Sequence, residues 1–325
     1  MHYDVFNGDA DGILSLLQLR LAEPKQSTLV TGLKRDIKLL ETLDCQSGDT
    51  LTVLDISMRS NMAGLKRVLA SGAYVFYADH HQAGDIPQEV TLDAHIDLDA
   101  NICTALIIDR LLGGKFHHWA IVAAFGDNLF AKAEALALAC GLTQKETAQL
   151  NELGSLINYN GYGETLADLN FAPDELYLRL LNYDDPFAVI RDPGSPYPVL
   201  RASYEQDMNQ VLAIEPLYLS NYIALFELPD KASSRRISGV YGNWLANQSP
   251  DLAHAVLTKN HDGSYKVSLR APINHKHGAG ELCSQFISGG GREASGGINT
   301  LDRDMLPDFL SKVENYYRQF IDAAY

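Results

Sequence analysis

Four short stretches of the chain hold carboxylates and imidazoles at spacings that could do chemistry. The first is Asn7-Gly8-Asp9-Ala10-Asp11-Gly12, with two acids one residue apart. The second, Val53-Leu54-Asp55-Ile56-Ser57, sets one acid after an apolar run, and the third, Ala78-Asp79-His80-His81, adds an acid and two imidazoles. The fourth is Asp127, which closes the apolar segment Ala123-Ala124-Phe125-Gly126. Taken singly, such an Asp reads as a helix-end residue, favoured where backbone N–H groups lack partners. Several of them facing one crevice read differently, because packed carboxylates raise one another's pKa and call for a cation. Oxygen ligands with an imidazole and no thiolate suit Mn²⁺ or a similar divalent ion.

The elements that must position these residues follow from apolar spacing. Residues 3–6, 28–31, 50–54 and 73–77 have the β-branched, apolar character of strands, and helical spacing at 13–21, 37–43 and 62–69 alternates with them. This alternation predicts an α/β fold, a parallel sheet with helices on both faces, whose ligand site lies past the carboxyl ends of the strands. The acids after the first, third and fourth strands would then share one edge. Residues 101–181 read as helical and complete a first, catalytic domain over 1–185. The prolines and turn formers of 186–200 predict a linker. Residues 201–325 read as a smaller α/β domain. It has a helix ahead of Pro216, strands at 253–258 and 264–269 around the turn Asn260-His261-Asp262-Gly263, a glycine-rich loop at 289–297 and a final helix.

Composition bounds the rest. A chain of 325 residues, 46% hydrophobic and 21% charged, has the material for two globular cores and is neither fibrous nor disordered. Its net charge of −15 weighs against broad binding of long duplex nucleic acid. The four cysteines, Cys45, Cys103, Cys140 and Cys283, form no CxxC pair, which predicts free thiols in a reducing cytoplasm. No leader-like or membrane-spanning apolar run is present, so neither export nor a membrane partner is expected.

The order, strand context and spacing of Asp9-Ala10-Asp11, Asp55, Asp79-His80-His81 and Asp127 resemble the four motifs of the DHH phosphoesterase superfamily. Val267-Ser268-Leu269-Arg270, followed by Ser288-Gly289-Gly290-Gly291-Arg292-Glu293-Ala294-Ser295-Gly296-Gly297, is similar to the signature of the associated DHHA1 substrate-binding domain. Together the two cover nearly the whole chain. The architecture resembles the compact oligoribonucleases and nucleotide phosphatases, and more distantly the RecJ-type exonucleases and cyclic-dinucleotide phosphodiesterases. The resemblance implies two Mn²⁺ ions, with Mg²⁺ as a substitute. Asp9 and Asp55 would hold one, and Asp11, Asp55, His80 and Asp127 the other, with Asp55 bridging. It further implies that His81 faces the substrate phosphate, that Asp79 orients the histidines, and that Arg270, Gly289, Gly290, Gly291 and Arg292 bind substrate.

Two departures from that pattern stand out. Many relatives carry a metal-binding His four residues before the first Asp, where this chain has Val5, so the first ion would lack a ligand unless Asn7 or water fills the place. Arg292 stands where the glycine motif of relatives has His; it is always cationic and can grip phosphate bidentately. Of the remaining charged or imidazole pairs, His275 with His277, Arg235-Arg236 and Lys34-Arg35 read as surface features, and His117-His118 as structural or surface. The expected function is two-metal hydrolysis of short single-stranded oligonucleotides or linear dinucleotides. The alternatives are a phosphatase for bisphosphorylated nucleotides or polyphosphate and, from another class, a non-catalytic nucleotide sensor. A homodimer is compatible with the sequence.

Overall fold

In the computed structural model the chain divides into two compact units, Met1–Ser203 and Tyr204–Tyr325. The structure describes residues 1–321; the last four residues of the expected second domain lie outside them.

The first unit is built on a parallel sheet of β1 (His2–Phe6), β2 (Thr28–Val30), β3 (Thr50–Leu54), β4 (Tyr74–Asp79) and β5 (Leu92–Ile96), in the order β2-β1-β3-β4-β5. Helix α1 (Ala10–Ala22) joins β1 to β2, and α2 (Met58–Ala70) joins β3 to β4. The first crossover moves outward on one side of β1 and the second outward on the other side of β3. Right-handed connections therefore put α1 and α2 on opposite faces. Val5, Val53, Val75 and Tyr77 pack with Leu65, Val68 and Leu69 on the α2 side. Along the chain follow α3 (Thr104–Leu111), α4 (His117–Gly126), α5 (Phe130–Ala139), α6 (Gln144–Asn160), α7 (Pro173–Leu180), α8 (Pro186–Arg191) and α9 (Pro196–Val211). The predicted α/β class and parallel sheet are present.

Three readings are corrected. Residues 37–43 form turns rather than a helix, because α2 side chains take over their backbone groups. Asn61 accepts from Leu40 N and donates to Ile37 O, while Arg67 donates to the carbonyls of Leu40 and Glu41. Such external partners remove the need for the intrahelical ladder. Strand β5 was not predicted. Finally, the segment 186–200 holds helix at 186–191 and from 196 on, either side of a turn at 192–195, since Pro186 and Pro196 occupy first helical positions, where the missing N–H costs nothing.

The second unit has a mixed six-stranded sheet, assembled from β6 (Tyr218–Leu219), β7 (Ile223–Glu227), β8 (Ala253–Lys259), β9 (Tyr265–Arg270), β10 (Gly289–Gly291) and β11 (Ser295–Leu301). It packs with α10 (Ala232–Gln248), α11 (Ala279–Ser284) and α12 (Leu306–Ile321). The glycine-rich stretch is not a loop: Gly289, Gly290 and Gly291 form an edge strand paired antiparallel with β11. Glycine is required there because a Cβ on Gly289 would lie 1.7 Å from the Cys283 carbonyl oxygen of α11. All four cysteines are free. Among the described residues no helix is long and apolar enough to cross a membrane.

His254, on β8, is 2% exposed and its Nδ1 has no hydrogen-bond partner. Burial pushes its pKa down to about 4. The unfolded chain therefore takes up this proton first as pH falls, and stability drops between about pH 6.5 and 4 by up to about 3 kcal/mol. Urea unfolding of wild type and His254→Leu at pH 7 and 4.5 should show the larger acid loss in wild type. Equal losses would mean that His254 titrates normally.

Candidate metal centre

The sheet order changes direction between β1 and β3, and in open α/β sheets the crevice past the strand ends at such a point is where ligands bind. The motif residues lie there. Asp9 leaves β1 and caps α1, its Oδ1 accepting from the N–H groups of Asp11 (3.0 Å) and Gly12 (3.1 Å). Asp11 begins the helix and faces the N-terminus of α3, where its two oxygens accept from Thr104 N (2.7 Å) and Ala105 N (2.8 Å). Those backbone donors fix the carboxylate with their partial positive charge.

Asp55 follows β3 with φ of 58°, a left-handed conformation rare for a residue with a side chain. Its N–H donates to Ala78 O, and its Oδ1 accepts from Thr104 Oγ1 at 3.2 Å. Such local strain, held by the surrounding structure, is a mark of functional positions. Past β4, His81 Nδ1 bonds Asp79 Oδ1 at 2.7 Å, which leaves the other ring nitrogen for a further partner. Asp127 ends α4, and its Oδ2 is buried without a hydrogen bond.

The atoms converge on His80. Its Nε2 lies 3.5 Å from Asp55 Oδ1, 3.8 Å from Asp11 Oδ2 and 3.9 Å from Asp127 Oδ2, with the side chain 5% exposed. These separations are too long for hydrogen bonds. They match the roughly 3–4 Å expected between atoms that each stand about 2.0–2.2 Å from one divalent ion. Asp55, His80 and His81 also offer ligand atoms within 4.8 Å of one another.

The electrostatics favour a cation at this place. Burial, then the neighbouring charges of Asp11, Asp9, Asp79 and Asp127, push Asp55 well above the usual carboxylate range. Burial and Asp11 likewise raise Asp127, against the pull of Lys34 and His80. Asp9 behaves oppositely. Burial disfavours its charge, but the Lys34 ammonium holds its pKa down at about 2. Burial also works against the His81 imidazolium, yet the hydrogen bond and charge of Asp79 raise its pKa. The donor set thus fits a divalent cation.

Lys34 is the residue that sequence reasoning set aside as surface. Its Nζ donates to Asp9 Oδ2 at 2.6 Å and to Asn158 Oδ1 of α6 at 2.9 Å. A usable signal existed, because Lys34 lies just past β2, at the same sheet edge as the other motif residues. Gly8 lets that loop in: a Cβ there would lie 1.8 Å from the Gly32 carbonyl oxygen. Thr104 and Asn158 were missed as well.

The other predicted substrate residues belong to the second unit. Arg270 does not present a free guanidinium; it donates to Asn243 Oδ1 and to Gly239 O of α10 and to Ser268 Oγ. Arg292 is exposed at the turn between β10 and β11. Among the pairs read as surface or structural, His277 meets Glu293 at 3.1 Å, His117 meets Asp109 at 2.6 Å, and Arg236 is bound by Asp207.

The fold is shared with solved structures of RecJ exonucleases and of a phosphodiesterase. A RecJ exonuclease bound to manganese aligns over 97% of this chain and 89% of its own, at 17% identity and a TM-score of 0.60. RecJ from Thermus thermophilus in complex with Mn²⁺ gives 18% identity and a TM-score of 0.62, covering 98% of this chain but 52% of that one, so the chain spans about half of its length. A pGpG-specific phosphodiesterase, PggH from Vibrio cholerae, aligns over 99% of both chains at 15% identity and a TM-score of 0.55. No family model matches the sequence, and no curated protein does.

Proposed function

We propose that the chain is a Mn²⁺-dependent phosphoesterase acting on phosphodiester bonds of short single-stranded oligonucleotides or linear dinucleotides. The observation that carries this reading is the convergence of Asp11, Asp55 and Asp127 on His80 Nε2 past the strand ends. These four residues would hold the ion. A divalent ion there supplies Lewis acidity toward a phosphoryl oxygen and an activated water.

The chain's own groups do the rest. Asp79 fixes the ring of His81 and favours its charged form, so that the nitrogen not bonded to Asp79 carries a proton for a phosphate oxygen. The backbone donors of α3 hold the Asp11 carboxylate in place. Arg292, exposed on its turn beside Gly289, Gly290 and Gly291, is suited to a substrate phosphate, and Arg270 braces that sheet against α10. The acidic exterior favours a short ligand, as does the full-length match to a phosphodiesterase specific for a linear dinucleotide.

Steady-state kinetics with Mn²⁺ on an oligonucleotide length series tests the reading. kcat/KM should be highest at about two to five nucleotides and fall beyond that, less steeply in high salt, where screening weakens repulsion of a longer polyanion. Efficient processive degradation of long strands would favour an exonuclease of RecJ type. Release of inorganic phosphate from a bisphosphorylated nucleotide or polyphosphate, with dinucleotides untouched, would favour the phosphatase. Absence of metal-dependent turnover on every substrate would leave a sensor.

A further inference from the structure

We propose that the ammonium of Lys34 stands in for one cation of the expected pair, so that the chain binds a single divalent ion and uses a fixed lysine beside Asp9 in place of the other. The inference rests on the metal-dependent reading above and deepens it.

Three observations place Lys34 as a built component of the centre. Its ammonium contacts Asp9 Oδ2 at 2.6 Å, the carboxylate expected to share the first ion with Asp55. Its backbone is held on both sides, with its N–H donating to Gly161 O at 3.1 Å and its carbonyl accepting from Asn7 Nδ2 at 3.1 Å. Its side chain is steered by Asn158 Oδ1 at 2.9 Å and lies over the Tyr162 ring at 5.5 Å.

The same contacts account for the two residues that break the expected ligand pattern. Val5 is fully buried in the α2-side core and supplies no donor. Asn7 spends its amide on the Lys34 carbonyl, and its Oδ1 accepts from Asp9 N. Neither completes an ion site at Asp9. A divalent ion bound to Asp9 Oδ2 would sit against the ammonium, and like charges in contact exclude one another in a buried setting. The Lys34 ammonium is bonded to Asp9 and Asn158 rather than to Asp11, Asp55, His80 or Asp127. The lysine has a third N–H beyond those given to Asp9 and Asn158, and its side chain is 27% exposed. That donor is available to a phosphate oxygen, the same service a second metal would render.

Metal counting on the full-length protein, by equilibrium dialysis and elemental analysis with EPR of bound Mn²⁺, is the test. Wild type should bind one Mn²⁺ per chain with the spectrum of an isolated ion. Asp9→Asn should keep that ion, and Asp127→Asn should lose it. Lys34→Met should take up a second Mn²⁺ and show exchange coupling, while Lys34→Arg, which keeps the charge, should remain at one. Should Lys34→Met fail to fold, the wild-type count and the Asp9→Asn result decide. Two coupled ions in wild type, or loss of the single ion in Asp9→Asn, or no second ion in a folded Lys34→Met, would overturn the inference while leaving the phosphoesterase reading intact. No bound Mn²⁺ in wild type would overturn both.

Discussion

Asp55→Asn should abolish turnover while making the metal-free protein more stable. The amide keeps the shape of the side chain and tolerates φ of 58° better than most residues, so the backbone past β3 is preserved. What goes is the anionic ligand nearest His80 Nε2. Losing a ligand's supporting partner costs roughly 10- to 100-fold in metal affinity or activity, and losing the ligand itself should cost more. Stability moves the other way. A carboxyl whose folded pKa is raised lowers stability as pH climbs from its unfolded value, near 4, toward the folded one, since the unfolded chain releases the proton more readily. Removing that acid should therefore stabilise the metal-free form at neutral pH and raise its Tm. Calorimetry in chelator, beside Mn²⁺ kinetics, checks both halves. A variant that keeps its activity, or melts lower without metal, would refute this account of the centre.

Arg20→Met should be the most damaging single change to the fold of the first unit. Arg20, on α1 and 6% exposed, makes a bidentate contact to the fully buried Asp4 of β1 and also donates to Thr52 Oγ1 of β3. Ser27 Oγ donates to the same carboxylate at 2.6 Å. Burial opposes the charge on Asp4, but hydrogen bonds from His2, Arg20 and Ser27 hold its pKa far below the usual value. Breaking a buried pair by removing one partner leaves an uncompensated charge, at about 3–5 kcal/mol. The depressed pKa fixes the pH dependence: the contribution is present above the unfolded value near 4 and fades as pH falls through the folded one. The Arg20→Met deficit should therefore shrink in acid. Replacing both partners, Asp4→Leu with Arg20→Met, should recover most of the loss. Urea midpoints at pH 7 and pH 3 distinguish these outcomes, and a deficit that does not change with pH would contradict them.

Much of the first unit was legible because its strands are buried on both faces and read as continuous apolar runs, with Thr50–Leu54 coinciding with β3. Strand β5, Leu92-Asp93-Ala94-His95-Ile96, escaped notice because it is an edge strand with a polar face and little burial. Residues 37–43 have helical apolar spacing, but the partners that decide their conformation, Asn61 and Arg67, are about 25 residues away and invisible to a local pattern. The three glycines were read as a phosphate loop, whereas the absent side chain of Gly289 answers to the close approach of α11 and that of Gly291 to the neighbouring strand β11. At the centre, Asp9, Asp11, Asp55 and His80 could be picked from their positions after strands, and Asp127 from the end of an apolar segment, which is helix α4. The partner of Asp9 could not. A lysine beside an arginine is a common surface pair, and only the loop past β2 turns Lys34 inward.

The left-handed backbone of Asp55 also sets what a saturation library at that codon would return. A screen for folding alone should enrich glycine and asparagine, the residues that adopt positive φ at least cost, and deplete valine, isoleucine and threonine, whose branched Cβ cannot. A screen for turnover should return aspartate, because it joins an anionic oxygen to tolerance of that conformation, whereas glutamate, with the same charge, fits the backbone poorly and reaches too far. Two selective pressures would thus choose different residues at one position, each for a reason visible in a single dihedral angle and its neighbouring charges.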